Sequence, residues 1–181
     1  GMIGEVKAIW CRHFISYGGD AYFRDWHSEQ KNTYSLLLQK AAHDIDVIHW
    51  LAGSYSRRVT GFGTLSLYDK CPRRKPDEPG CASFNASHWP PLEQTGFSPV
   101  IDVEDQNMIL MQLKNGIQAA YLQCHFTPDQ TRNYTVIGTR GRLENYGDTI
   151  EVWTERKDWF SLHGDKQFVT TSTSGSHGGA D

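Results

Sequence analysis

The 181-residue chain contains no apolar run approaching the roughly 20 residues that a membrane-crossing helix needs. Positive charge is not in excess: 18 Lys and Arg stand against 21 Asp and Glu, a formal net charge of −3. Nucleic acid and anionic membranes both require a basic footprint, so neither is expected as a partner. The one short basic cluster, Arg73-Arg74-Lys75, reads as solvated charge in a loop. Cysteine is scarce and badly spaced for metal. Cys11, Cys71, Cys81 and Cys124 include no Cys-x-x-Cys pair, so no zinc site is expected. Cys11 and Cys124 sit in strand-like runs as small core residues. Cys71 and Cys81 bracket a loop, as free thiols first or as a loop-closing disulfide second. No repeat, low-complexity tract or signal-peptide pattern is visible, and Gly1-Met2 reads as the remnant of a cleaved tag. One absence matters most. No strand is followed by a glycine-rich turn that opens a helix, so neither a Rossmann nor a P-loop phosphate cradle is present. Gly138 and Gly141 of GTRGRLE fall between two strands and read as turn residues, and the chain is not expected to hold a dinucleotide by itself.

What is present is a globular composition, 38% hydrophobic and 22% charged, long enough to bury one core. Residues 3–15 read as a strand. Residues 17–32 read as a loop loaded with aromatic and basic groups. A helix is expected over 35–52, closed by Gly53 as a C-terminal cap, with an apolar stripe of Leu38, Ala41, Ala42, Ile45, Ile48 and Ala52. Residues 58–68 alternate like a strand. Residues 69–102 hold six of the seven prolines and form a long irregular excursion, of the kind that often carries function. Strands then follow in a meander: 107–113 and 117–126 around the hairpin signal Asn115-Gly116, then 133–137, 142–146 and 149–153. A run of strands beside one substantial helix predicts an α+β fold, an open and largely antiparallel sheet with helices on one face.

The chemistry concentrates in LLLQKAAHDIDVIHWLAG, residues 36–53. At 100° per residue Gln39, His43, Asp46 and Trp50 share a polar stripe, expected to face a cavity roofed by the aromatic loop. Imidazole titrates nearest neutrality, which makes His43 a candidate for proton transfer. The plainer reading is a satisfied boundary histidine. His49, on the apolar stripe, is a still stronger case for that plainer reading. A shared metal on His43, Asp46 and His49 is disfavoured, because helical histidines share a metal best at i and i+4.

His43-Asp44-Ile45-Asp46, Trp50-Leu51 and Gly53 resemble the helix signature of the C-terminal domain of the Gfo/Idh/MocA oxidoreductases. Further matches follow in order: IGEV at 3–6, YFRDWH at 22–27, VED at 103–105, KNG at 114–116, IGTRGRLE at 137–144 and HGGAD at 177–181. The resemblance implies a GAPDH-like C-terminal domain over residues 3–181 that binds substrate and carries the oligomer interface. It also implies a separate N-terminal Rossmann domain that holds NAD or NADP. The activity implied is hydride transfer between the nicotinamide and a sugar or polyol in a cytoplasmic homo-oligomer, a dimer or tetramer built through the sheet. His43 inherits the role of proton transfer. Many members carry Asp four residues before this histidine; here Gln39 stands there, and Lys40 becomes the candidate partner. Tyr22, Arg24, Trp26 and His27 are the candidates for gripping substrate through stacking faces and charge-assisted donors, and His177 is a candidate on the glycine-rich tail. Two alternatives stay open: an NAD-dependent glycosidase on the same scaffold, and a non-catalytic ligand-binding or dimerisation module.

Overall fold

The computed structural model describes residues 1–80 and 83–170. Eight strands form one sheet: β1 (Val6–Phe14), β2 (Ser56–Thr64), β3 (Gln106–Leu113), β4 (Gln118–Cys124), β5 (Thr131–Gly138), β6 (Gly141–Tyr146), β7 (Thr149–Trp153) and β8 (Lys166–Val169). Their order is β2-β3-β4-β1-β5-β6-β7-β8. Only the β1–β4 pairing is parallel. The first strand therefore ends in the middle of the sheet, flanked by β4 and β5, and its register sets three strands on one grid: Cys11 opposes both Tyr121 and Tyr134, and His13 opposes Gln123 and Arg132.

Side chains alternate across this grid because the strand period is two. Ile9, Cys11, Ile109, Met111, Ala119, Tyr121 and Val136 point to one face. Helix α2 (Ala42–Ala52) covers that face with Ile48, and Ala41 just before it joins the same core. Gly53 at φ 60 closes the helix in the left-handed conformation, as its position predicts, and its N–H reaches back to Trp50. A second core of Ile15, Tyr22, Phe23, Leu36, Tyr68, Phe97 and Val103 lies under the 69–102 excursion. That excursion is irregular, with short 3-10 turns at Tyr68–Lys70 and Pro91–Glu93.

Several elements differ from the sequence reading. The expected helix over 35–52 is broken in type: Leu37–Ala41 is one π turn, and α-helix begins only at Ala42. A π turn takes in more residues per turn, so a straight 100° projection drifts across it. Leu38 and Ala42 are consequently exposed, and Asp44 takes the buried place beside Ala41 and Ile48. The loop over 17–32 contains a π turn at Gly19–Phe23, a 3-10 turn at Trp26–Ser28 and the single-turn helix α1 (Gln30–Thr33). Strand β8 was not foreseen; all four of its residues are exposed, so no alternation marks it. Arg74 is more than solvated charge, since its Nη1 donates to the Arg24 carbonyl and to Ser98 Oγ. Cys11, Cys71 and Cys124 are free thiols, and Cys81 lies outside the described residues.

The candidate active site at the head of the helix

The VED segment sets the frame. Glu104 Oε1 accepts from the Leu37 N–H at 2.7 Å, capping the start of the helical segment from another element. Asp105, fully buried, accepts from the backbone N–H groups of Ser66, Leu67 and Tyr68 and ties the end of β2 to β3. Both carboxylates are structural.

With its head thus held, the helical segment presents Lys40 to the aromatic loop. Lys40 Nζ lies 5.7 Å from the Tyr22 ring centroid, within cation–π range. Tyr22 meets His27 and His125 edge-on at 5.2 and 5.1 Å, and Trp26 stacks on His27 at 3.8 Å. Tyr22 is buried, His27 half-buried and Trp26 half exposed, so the cluster forms a wall with one open rim. Burial lowers the His27 pKa, and the Lys40 charge pushes the same way against the nearby Asp25. His27 Nδ1 is 3.6 Å from Asp25, too far for a hydrogen bond.

His43 sits one turn beyond Lys40 and is exposed; its Nδ1 lies 3.3 Å from the Lys40 carbonyl. It does not pack against the sheet. The aromatic loop closes over Lys40 rather than over His43, because the π turn rotates Lys40 inward and His43 outward. Gln39 is half-buried, and its Oε1 is buried without a partner among the described residues. Asp46 and Trp50 continue the exposed stripe. His49 is the satisfied boundary histidine expected of it: Nε2 is 2.8 Å from Ser56 Oγ.

Arg24 is a correction. It was expected to grip substrate, but its side chain is buried and its Nη1 donates to buried Asp20 at 3.0 Å. The guanidinium also lies 4.9 Å from the Phe97 ring centroid. Its charge is matched inside the protein. His177 lies outside the described residues.

Sequence reasoning missed the group beneath the site. Asp44 is fully buried, and four side chains converge on its carboxylate. Tyr134 Oη donates at 2.5 Å, Tyr121 Oη donates at 3.1 Å, His13 Nδ1 lies at 2.9 Å, and the Arg132 guanidinium forms an ion pair with Nε 3.0 Å away. Burial alone would raise the Asp44 pKa, but the bonds from His13 and Tyr134, with the Arg132 charge, hold it below the ordinary carboxylate value. From Tyr121 the network runs on to Gln123 Oε1 at 2.8 Å and from the Gln123 amide to His125 Nε2. His125 is fully buried and its pKa is driven down to about 3, first by burial and then by the charges of His13 and Lys40. A signal for Asp44 was present, since it stands three residues after Ala41 and four before Ile48.

A two-layer α+β domain with ionisable groups at the exposed head of its one long helix is thus defined. The chain belongs to the Gfo/Idh/MocA oxidoreductases: residues 1–177 match the model described as the oxidoreductase family, C-terminal alpha/beta domain. YteT of Bacillus subtilis (strain 168), a protein that carries an oxidoreductase name, is 23% identical over 225 residues, covering 100% of this chain and 53% of its own length. The chain thus spans about half of that relative. Levoglucosan dehydrogenase, solved with NADH and levoglucosan, superposes with a TM-score of 0.64 at 18% identity, over 94% of this chain and 41% of that one. An NAD binding oxidoreductase from Klebsiella pneumoniae gives 0.66 at 18% identity, over 95% and 42%. At these identities the likeness to solved structures establishes the fold. No helix among the described residues is long and apolar enough to cross a membrane.

Proposed function

We propose that this chain is the substrate-binding half of an NAD(P)-dependent oxidoreductase that moves hydride between the nicotinamide and a carbon of a sugar or polyol. In this reading a separate nucleotide-binding half of a longer polypeptide holds the cofactor. The fit is one-sided, because this chain has no glycine-rich strand-to-helix turn to cradle a pyrophosphate. Its share of about half of YteT, and the NADH bound by levoglucosan dehydrogenase, support the division. The cofactor supplies or accepts the hydride. The residues of this chain hold the sugar and handle the hydroxyl proton that must leave or join as the carbon is oxidised or reduced.

One observation carries the reading. Lys40 and His43 stand one turn apart near the head of the helix, with Lys40 over Tyr22 in a wall that His27 and Trp26 extend. His43 and Lys40 are the proton-handling pair, and Gln39, which exchanges no proton, orients a hydroxyl. Tyr22 and Trp26 offer apolar faces to the sugar's C–H surface, and His27 packs between them as part of the same wall. In the full polypeptide, His43→Ala and Lys40→Ala are each expected to lower kcat on its sugar about 10²-fold or more with the Kd for NADH unchanged. Unchanged turnover in both removes the pair from the mechanism.

A non-catalytic ligand-binding or dimerisation module is the second reading, favoured by Gln39 at a place where the resemblance leads one to expect aspartate. A dehydrogenase screen of the full polypeptide against sugars and polyols separates the two. Product analysis in the same screen detects glycosidic cleavage.

The sheet face opposite the helix supports a homo-oligomer. Trp10, Met108 and Leu110 are 47%, 55% and 61% exposed there, on strands β1 and β3 whose other face is core, and Phe62 of the edge strand β2 is 81% exposed beside them. An uncovered apolar area of this kind marks an interface, and a second copy of the same sheet is the proposed occupant.

A further inference from the structure

We infer that Arg132 binds a carboxylate of the substrate, so that the substrate is a sugar acid rather than a neutral sugar or polyol. This rests on the oxidoreductase reading for the reaction and adds the chemical class of the substrate. Arg132 stands on β5 opposite His13 of β1. Its Nε lies 3.0 Å from Asp44 Oδ1, and its Nη2 lies 3.5 Å from His13 Nε2. One edge of the guanidinium is thus engaged by the network beneath the helix. Nη1 has no hydrogen-bond partner among the described residues. The Arg132 side chain is 44% exposed, whereas that of Asp44 is 1% exposed, so the outer part of the guanidinium meets solvent. A planar cation with one edge fixed and the other open is a preorganised receptor for a carboxylate.

Arg132 is joined to the helix head by two routes. Along the helix, Asp44 follows Lys40 by four residues, a rise of about 6 Å. Across the sheet, hydrogen bonds run from Asp44 to Tyr121, Gln123 and His125, and the His125 ring meets Tyr22 edge-on at 5.1 Å. Tyr22 in turn has Lys40 Nζ 5.7 Å from its ring centroid. The charge of Arg132 is felt at Tyr22 itself: burial raises the pKa of that hydroxyl, and Arg132 acts against the rise.

The charges of this region call for an anion. Asp44 answers Arg132 and supplies the one buried carboxylate of the network. Lys40 forms no ion pair among the described residues. The carboxylates that border the site are engaged by backbone, Glu104 accepting from the Leu37 N–H and Asp25 from the Trp26 N–H. A substrate carboxylate on the open edge of Arg132 supplies the missing negative charge and leaves Lys40 free for the reacting hydroxyl. Arg132 also provides the charge-assisted donor expected of Arg24, whose guanidinium is held inside the protein by Asp20.

The test uses the full polypeptide with a panel of hexuronates and hexonates, each paired with its neutral primary amide. The parent is expected to turn over its preferred acid with a kcat/KM about tenfold or more above that of the amide. Arg132→Gln is expected to remove this preference. Arg132→Lys keeps a charge beside Asp44 but lacks the planar fork, so it is expected to fold and to weaken the preference; it decides the matter if Arg132→Gln does not fold. A parent that treats acid and amide alike, or variants that lose rate equally on both, overturns the proposal, because a purely structural arginine cannot tell the pair apart. Should no sugar turn over, calorimetry with the same pairs decides. An acid bound about tenfold more tightly than its amide, with the difference reduced by Arg132→Lys, upholds the carboxylate site while the oxidoreductase reading falls. A difference that the variant leaves intact, no difference, or no binding overturns it.

Discussion

Asp44 carries the largest concentration of interactions of any side chain near the site, and its loss should be felt through the groups it leaves behind. Asp44→Asn removes the charge that His13 and Arg132 face and turns an acceptor edge into a donor toward Tyr121 or Tyr134. Breaking one partner of a buried charged network costs about 3–5 kcal/mol, so urea unfolding at neutral pH should show a loss of that order. A loss below about 1 kcal/mol would mean the network is worth no more than a surface pair. The two buried titrating groups also set an acid limit, with signs that agree. Asp44 has a depressed pKa in the fold, so its contribution is present above the ordinary value of 3.8 and is lost as pH falls below it. His125 is held neutral, down to about 3 against 6.5, so its contribution is present above pH 6.5 and is lost progressively as pH falls through that window. Stability should fall from about pH 6.5 downward by about 1.4 kcal/mol per pH unit for His125. Unfolding midpoints measured at pH 7, 5.5 and 4 check this, and His125→Gln should flatten the upper part of the slope. A midpoint that stays level from pH 7 to pH 4 would contradict the buried neutral imidazole.

Among the elements, the helix and the turn that follows β1 make the sharpest demands. Gly53 adopts φ 60 with nothing near its missing side chain. Gly53→Ala should therefore cost only the left-handed backbone penalty, about 1–2 kcal/mol, in thermal melts. Gly18 has an ordinary negative φ but no room: a Cβ there would sit 2.1 Å from the His125 carbonyl oxygen. Gly18→Ala must push the aromatic loop off the end of β4. Overpacking costs about 1–3 kcal/mol, and the displaced Tyr22 should reduce sugar binding as well, which Gly53→Ala should leave alone. If Gly18→Ala binds sugar like the parent, the loop is not the wall proposed for it. The helix also shows where one-dimensional reading stopped. Its existence, its end at Gly53 and the burial of Ala41 and Ile48 were legible from spacing, while the buried Leu36 and Asp44 were not. The π turn at Leu37–Ala41 was not, because it is held by Glu104, 67 positions away, and no local propensity encodes that bond. The same turn decided that Lys40 meets Tyr22 while His43 faces outward.

At the scale of the molecule, a sheet covered on one face leaves the other to be explained. Trp10→Glu or Leu110→Glu on the open face should convert the proposed oligomer to monomer in size-exclusion chromatography with light scattering, at little cost to the fold, since both side chains are solvent-exposed in the single chain. An elution unchanged by either substitution would place the interface elsewhere. The α+β class, the largely antiparallel sheet and the approximate positions of every strand but β8 followed from the sequence, because alternation and turn chemistry are local properties written residue by residue. So did the ordered motifs that pointed to the Gfo/Idh/MocA oxidoreductases. Tertiary structure alone decided that β1 pairs with both β4 and β5. That pairing put His13, Tyr121, Arg132 and Tyr134 around one aspartate. These are meetings between residues dozens of positions apart, fixed by strand register and burial, and no pattern within a short window of sequence records them.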